Sequence, residues 1–196
     1  MKKMLLACVL LSAFAASAQP KLPFKKNVPS IKPVIEKVAS DFYENFGNII
    51  GDTINENGSS IEFKSRITPP ESLGTSITKY VDPYSYAWQS TMFESEDFHE
   101  AVRRYKEYFK QLNNSKLTFY DKTAYNLSGN YDAPDESRPF ASSILKLDGT
   151  NHDLQFFTVE VGLSYSMPDW TVKVMVYEKV PDSQVRPTII SSGYSY

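Results

Sequence analysis

The chain has 196 residues, 41% of them hydrophobic and 14% aromatic, with 21 basic and 23 acidic side chains. That balance excludes a polyanion-binding surface: nucleic-acid recognition needs a basic face or stripe, and here basic residues adjoin only at Lys2-Lys3, Lys25-Lys26 and Arg103-Arg104. The length suits one domain that buries its core without staples, and Cys8, the only cysteine, excludes an intramolecular disulfide.

The chain opens MKKMLLACVLLSAFAASAQP. Two lysines, a short apolar run and Ala16-Ser17-Ala18 before Gln19 predict a secretory signal peptide over residues 1–18, cleaved after Ala18. Leu5-Leu6-Ala7-Cys8 resembles the box before a lipid-bearing cysteine, but cleavage there leaves only about four apolar residues ahead of it. Cys8 is therefore expected to be removed without lipidation. The leader is of the Gram-negative type, so the predicted destination is the periplasm or the cell exterior. The mature chain keeps 19 basic residues against 23 acidic ones, a net charge of −4. No later run approaches the roughly 20 apolar residues of a membrane helix, which predicts no integral span.

Residues 19–29, QPKLPFKKNVP, carry prolines and lysines and predict a flexible lead. Ser30 is the expected cap of a helix running to Phe46, with Ile31, Val34, Ile35, Val38, Phe42 and Phe46 as its apolar stripe and Pro33 in its first turn. Asn57-Gly58 is a turn signal before the alternating strand SSIEFKSRI, and Thr75 to Val81 is a weaker strand. Tyr84 to Tyr120 then reads strand, helix, strand. Phe98, Ala101, Val102, Tyr105, Phe109 and Leu112 form one helical stripe over Ser95 to Leu112, with Ser95 as expected cap. Strands follow at Leu117 to Asp121, Ala124 to Tyr131, Phe140 to Leu147, Leu154 to Ser166 and Trp170 to Lys179, joined by links short enough only for antiparallel hairpins. Residues 181–196 are polar and predict a disordered tail. The expected class is α+β: one domain over residues 30–180, an antiparallel meander sheet of about five to seven strands, one long helix packed on a face and an N-terminal helix.

Two sets of residues suggest ligand binding. Tyr84, Tyr86 and Trp88 recur at period two and would form an aromatic platform for sugar rings if they shared a solvent face. Asp135, Glu136 and Arg138, in the acidic loop DAPDESRP, would suit a polar ligand. Metal chemistry lacks a complete motif. Glu96 and His99 have the spacing of half a carboxylate metal site without its second half. Asp148 opens a calcium-like loop that has Val159 where a bidentate Glu is required. His152 and Asp153 have no serine in a Gly-x-Ser-x-Gly elbow to serve. No cofactor or metal is expected.

From YAWQS through FHEAVRRYKEYFKQLN and LSGNYDAPDESRPFA to PDWTVKVMVYEK, the chain resembles small exported proteins of Gram-negative bacteria. The resemblance implies export and a single domain, and carries no activity or site residue with it. The expected function is a non-catalytic binding or interaction module of the cell envelope, its partner an envelope protein, a glycan or a small apolar ligand held between helix and sheet. The alternatives are an envelope hydrolase working through Asp, Glu and Tyr residues, and a sugar-binding module using the aromatic platform.

Overall fold

Among the described residues, nine antiparallel strands form one continuous sheet. The structure, a computed structural model, describes residues 28–149 and 154–179. A helix, α1 (Lys32–Ser40), precedes a meander of β1 (Ile50–Glu56), β2 (Ser60–Ser65), β3 (Gly74–Tyr80) and β4 (Ser85–Ser95). A second helix, α2 (Phe98–Leu112), precedes β5 (Ser115–Thr118), β6 (Ala124–Gly129), β7 (Phe140–Leu147), β8 (Phe157–Ser166) and β9 (Asp169–Glu178). The last strands of the two meanders pair with each other, giving the order β1-β2-β3-β4-β9-β8-β7-β6-β5.

The class is therefore mostly β, not α+β with five to seven strands, and the helices span only 9 and 15 residues. The uncounted strand is β1, GDTINE after Ile50. Five of its seven side chains are exposed, so no apolar alternation marks it, and its pairing with β2 is broken by two register shifts. Such irregularity at a sheet edge discourages pairing with further chains.

The first helix stops at Ser40 rather than Phe46 because Asp41 offers the backbone a competing arrangement. Its carboxylate accepts from Asn48 N at 3.1 Å and Asn48 Nδ2 at 2.5 Å, and its carbonyl accepts from Phe46 N at 3.0 Å. A 3-10 turn, Phe42–Glu44, fills the gap. Nor does Ser30 cap this helix. Ile31 occupies the cap position, and its amide donates to Gln111 Oε1 of α2 at 2.8 Å, so one helix satisfies the start of the other. The cap of α2 is Asp97, not Ser95: Asp97 Oδ1 accepts from His99 N at 2.8 Å and Glu100 N at 3.2 Å, while Ser95 Oγ holds Asp97 N at 3.1 Å.

Both helices lie on the same side of the sheet. The residues of α2 buried there are Ala101, Tyr105, Tyr108, Phe109 and Leu112, which join Trp88, Val159, Val161, Leu163, Val172, Val174 and Val176 in one core cluster. The expected stripe is thus the docking face, widened by Tyr108. Ile35, Val38 and Ala39 bring α1 into the same cluster. The predicted leader, most of the predicted lead, the tail and His152-Asp153 lie outside the described residues.

Candidate functional site

No described helix or strand covers the opposite face of the sheet. Register puts Thr158, Tyr177 and Ala87 in one row across it, and Ile144, Glu160, Met175, Gln89 and Ser76 in the next. A strand face open to water should carry exposed polar side chains. Here β8 is buried on both faces: Thr158 is fully buried and Glu160 only 9% exposed.

Glu160 is the centre of this face. Two of its four diagonal neighbours across the flanking pairs, Ser142 on β7 and Tyr177 on β9, aim hydroxyls at it; the other two positions carry Lys146 and Lys173. Ser142 Oγ donates to Oε1 at 2.5 Å and Tyr177 OH donates to Oε2 at 2.7 Å. No ion pair offsets the charge among the described residues. A buried carboxylate held by neutral donors alone is costly to keep, and taking charge from a ligand would compensate it. Burial pushes the Tyr177 phenol well above the ordinary value, reinforced by its bond to Glu160 and by that group's negative charge. The phenol therefore stays protonated and serves as a donor.

A groove of about 230 Å³ opens beside this pair, lined by Tyr80, Ser85, Ala87, Glu160, Met175 and Tyr177; Tyr86 and Glu178 also border it, but register turns their side chains to the other face, with Trp88 and Val176. It runs from β3 and β4 to β8 and β9, crossing the join between the two meanders. No lysine or arginine lines it. Tyr86, at the end of β4, hydrogen-bonds Tyr84 OH at 3.2 Å; burial and then that bond push its phenol up to about 12. On the other side of Glu160, Ser142 also lines a shallow open groove of about 670 Å³ with Ile144, Lys146, Asp132 and Asp148.

Ser142 meets a carboxylate but no imidazole, so the arrangement lacks the histidine base of a serine nucleophile. His99, the only histidine among the described residues, is exposed on α2. No described group of three His, Cys, Asp or Glu residues is placed to hold a metal.

The residues singled out from the sequence go elsewhere. Trp88 is fully buried in the core, its indole N–H donating to Ser65 Oγ at 3.1 Å, while Tyr84 is 61% exposed at the β3–β4 turn and Tyr86 is half-buried. The three do not form one solvent-facing platform: Tyr86 shares the helix-side face with Trp88 and packs against the core. Asp135, Glu136 and Arg138 lie on an exposed loop that closes on itself. Asp135 Oδ1 accepts from Ser137 N at 2.9 Å and Ser137 Oγ at 2.7 Å, and these bonds, ahead of the nearby Arg138 charge, lower its pKa. The Arg138 guanidinium donates to Ala133 O at 2.6 Å and Asp132 Oδ1 at 3.3 Å.

Glu160 was not anticipated, because a single charged residue in FTVEVGLSY reads as the solvent side of a half-buried strand. The usable signal was register. The turn at Ser166-Met167-Pro168-Asp169 sets Glu160 opposite Met175, which places Tyr177 on its diagonal.

Comparison with protein-family models, with curated proteins and with solved structures finds no match. Among the described residues no helix is long and apolar enough to cross a membrane.

Proposed function

We propose that this protein is an exported, non-catalytic binding module whose ligand occupies the groove beside Glu160 and Tyr177 on the open face of the sheet. One observation carries the reading: a carboxylate only 9% exposed, held by two hydroxyls and no described cation, on a face that no described element covers. Structural carboxylates so enclosed ordinarily have a charged partner. A binding site keeps such a group because the ligand supplies what the fold omits. Export rests on the leader MKKMLLACVLLSAFAASA and on the resemblance to small exported proteins.

Two measurements test the two halves. N-terminal sequencing of the protein recovered from a Gram-negative host should begin at Gln19 in the periplasmic or external fraction; an intact Met1 in the cytoplasm overturns export. Amide chemical shifts of the chain from Gln19 onward, recorded against separate panels of sugars, amino acids, organic cations and short peptides, test binding. At least one class should move amides of β4, β8 and β9 around Glu160. If no class moves them, the groove is not a binding site.

A further inference from the structure

We infer that the helix side of the sheet carries a second binding site, a pocket between α2 and β4 that takes a monocarboxylic acid with an apolar body, its carboxylate held by Arg104 and Tyr108. The pocket, of about 310 Å³, is walled by Leu73, Met92 and Phe93, with Arg104 and Tyr108 contributed by α2. It is separate from the Glu160 groove, which opens on the other face.

Register brings these side chains together. Leu73 lies just ahead of β3; its N–H donates to Thr91 O at 2.8 Å, and alternation sets its side chain with those of Thr75 and Ile77, on the helix side. Between Thr91 and Phe93, β4 carries one residue more than its partner β9, and this bulge lets Met92 and Phe93 both pack on the core side. Glu94, which also borders the pocket, pairs with Thr171 and turns its side chain to the opposite face.

Two donors of α2, one turn apart, are left open at this pocket. The Arg104 Nε is buried and has no hydrogen-bond partner. Among the described residues its guanidinium forms no ion pair: Glu100 is engaged by Arg103 at 3.1 Å, and Glu94 faces away. The guanidinium carbon stands 5.1 Å from the centroid of the Phe93 ring, a contact that satisfies none of its N–H groups. Tyr108 is 2% exposed, and its hydroxyl bonds no described residue. Burial pushes that phenol up, the nearby Arg104 charge opposing and Glu71 and Glu107 adding, so it stays protonated and can donate. Buried donors without partners are rare in folded proteins. A carboxylate would accept from both, and the planar fork of arginine matches its two oxygens.

The same lining argues against other ligands. Arg104 repels a cation, and an uncharged ligand would leave the guanidinium without a counter-charge. A dianion would meet Glu71, which borders the pocket and whose charge reaches Tyr108. The ligand's body meets the Met92 and Phe93 side chains and Leu73, which is 61% exposed and gains burial when covered. Size agrees: about 310 Å³ lies at the lower end of the roughly 300 to 1,000 Å³ of small-molecule pockets, which suits a short aliphatic or single-ring acid.

The test is titration of the chain from Gln19 onward with hexanoate and phenylacetate at neutral pH, followed by backbone amide shifts and calorimetry. The controls are hexanamide and phenylacetamide, which keep the body and lose the charge. Both acids should bind saturably and move backbone amides around Arg104 and Phe93, and the carboxamides should bind at least about tenfold more weakly. Adipate, with a second carboxylate, should bind more weakly than hexanoate. Tyr108→Phe removes a hydroxyl that bonds no described residue, so the urea midpoint should hold while binding falls several-fold. Arg104→Gln should bring the acids to the level of the carboxamides. Equal binding of acid and carboxamide overturns the inference, as do acids that move no backbone amide of α2 or β4. Full binding by both Tyr108→Phe and Arg104→Gln overturns it too. Tighter binding of acetylated dileucine than of hexanoate would identify a peptide C-terminus as the source of the carboxylate, and the reverse a free acid.

Discussion

The hydroxyl of Tyr105 on α2 lies 2.6 Å from Ser143 Oγ on β7, and both are fully buried. The Asp132 backbone closes a ring with them: its N–H donates to Ser143 Oγ at 3.0 Å and its carbonyl accepts from Tyr105 OH at 3.1 Å. One arrangement of protons satisfies every member, with Ser143 donating to Tyr105 and Tyr105 to the carbonyl. The Asp132 carboxylate adds Ser142 N at 3.1 Å. This ring fixes the start of the loop after β6 to the helix, and Ser142, its neighbour in sequence, points the other way to Glu160.

Tyr105→Phe keeps the packing and removes one member of the ring, leaving the half-buried Asp132 carbonyl without its donor and the buried Ser143 hydroxyl without its acceptor. The expected cost is about 2 kcal/mol, in the range for orphaning a buried polar group. Urea denaturation of both proteins measures it. A loss below about 0.5 kcal/mol would mean that the ring contributes nothing beyond what water supplies.

The same phenol sets the alkaline limit of stability. Burial raises the pKa of Tyr105 from 10.0 to about 12, the Ser143 bond opposing the shift. Unfolded, the phenol ionises near 10, so above that pH the native state holds a proton that the unfolded chain releases, and stability falls as pH rises. The contribution is fully present below pH 10 and is lost progressively towards pH 12. Tyr177, raised by burial and by Glu160, adds in the same direction. Denaturation midpoints should be level in this respect up to about pH 10 and decline beyond it, and Tyr105→Phe should show a shallower decline.

Much of the architecture was legible because it follows from periodicity. The α2 stripe, the β8–β9 hairpin and their shared core face come directly from Phe98, Tyr105 and Leu112 and from the alternation of Val172, Val174 and Val176. What escaped has local causes. β1 is an edge strand with exposed side chains, so its sequence carries turn composition rather than alternation. Period two places Tyr86 and Trp88 on one face but does not say which face is wet; pairing with Val176 decides that Trp88 points inward. The site escaped because Glu160, Ser142 and Tyr177 are far apart in sequence and meet only through the registers of two strand pairs.

Gly129 ends β6 where it passes β7 at close range. A Cβ there would stand 2.1 Å from the Ile144 carbonyl oxygen and 2.9 Å from the Leu145 Cα, both backbone atoms that cannot rotate away. Gly129→Ala should therefore push β6 off β7 at a cost of about 3 kcal/mol, the upper part of the overpacking range. Hydrogen exchange should report the loss first in β5 and β6, which close that edge of the sheet.

The acidic loop and the groove separate in a binding assay. Asp135 holds its own turn through Ser137, and no lining residue of the groove belongs to the Asp135-to-Arg138 segment. Asp135→Asn with Glu136→Gln should leave binding at the groove unchanged and alter stability by no more than about 1 kcal/mol. Calorimetry with whichever ligand moves the groove amides decides it. A drop comparable to that of Glu160→Gln would transfer the site to the loop.

Tyr84, Tyr86 and Trp88, adjacent in sequence pattern, should part company in stability. Trp88 is 0% exposed and Tyr84 61% exposed. Ser65 Oγ, which accepts the indole N–H, also donates to Ile67 O at 2.8 Å and accepts from Ile67 N at 3.1 Å, so it keeps partners when the indole is removed. The cost of Trp88→Ala is then mainly lost burial and the cavity left behind, about 3 to 5 kcal/mol. Tyr84→Ala should lie within about 0.5 kcal/mol of the parent, as for a surface ring. Tyr86→Ala should fall between them, because its ring is half-buried against the core on the helix side of the sheet. Urea midpoints of the three variants check the order; a Trp88→Ala protein as stable as Tyr84→Ala would place the indole outside the core.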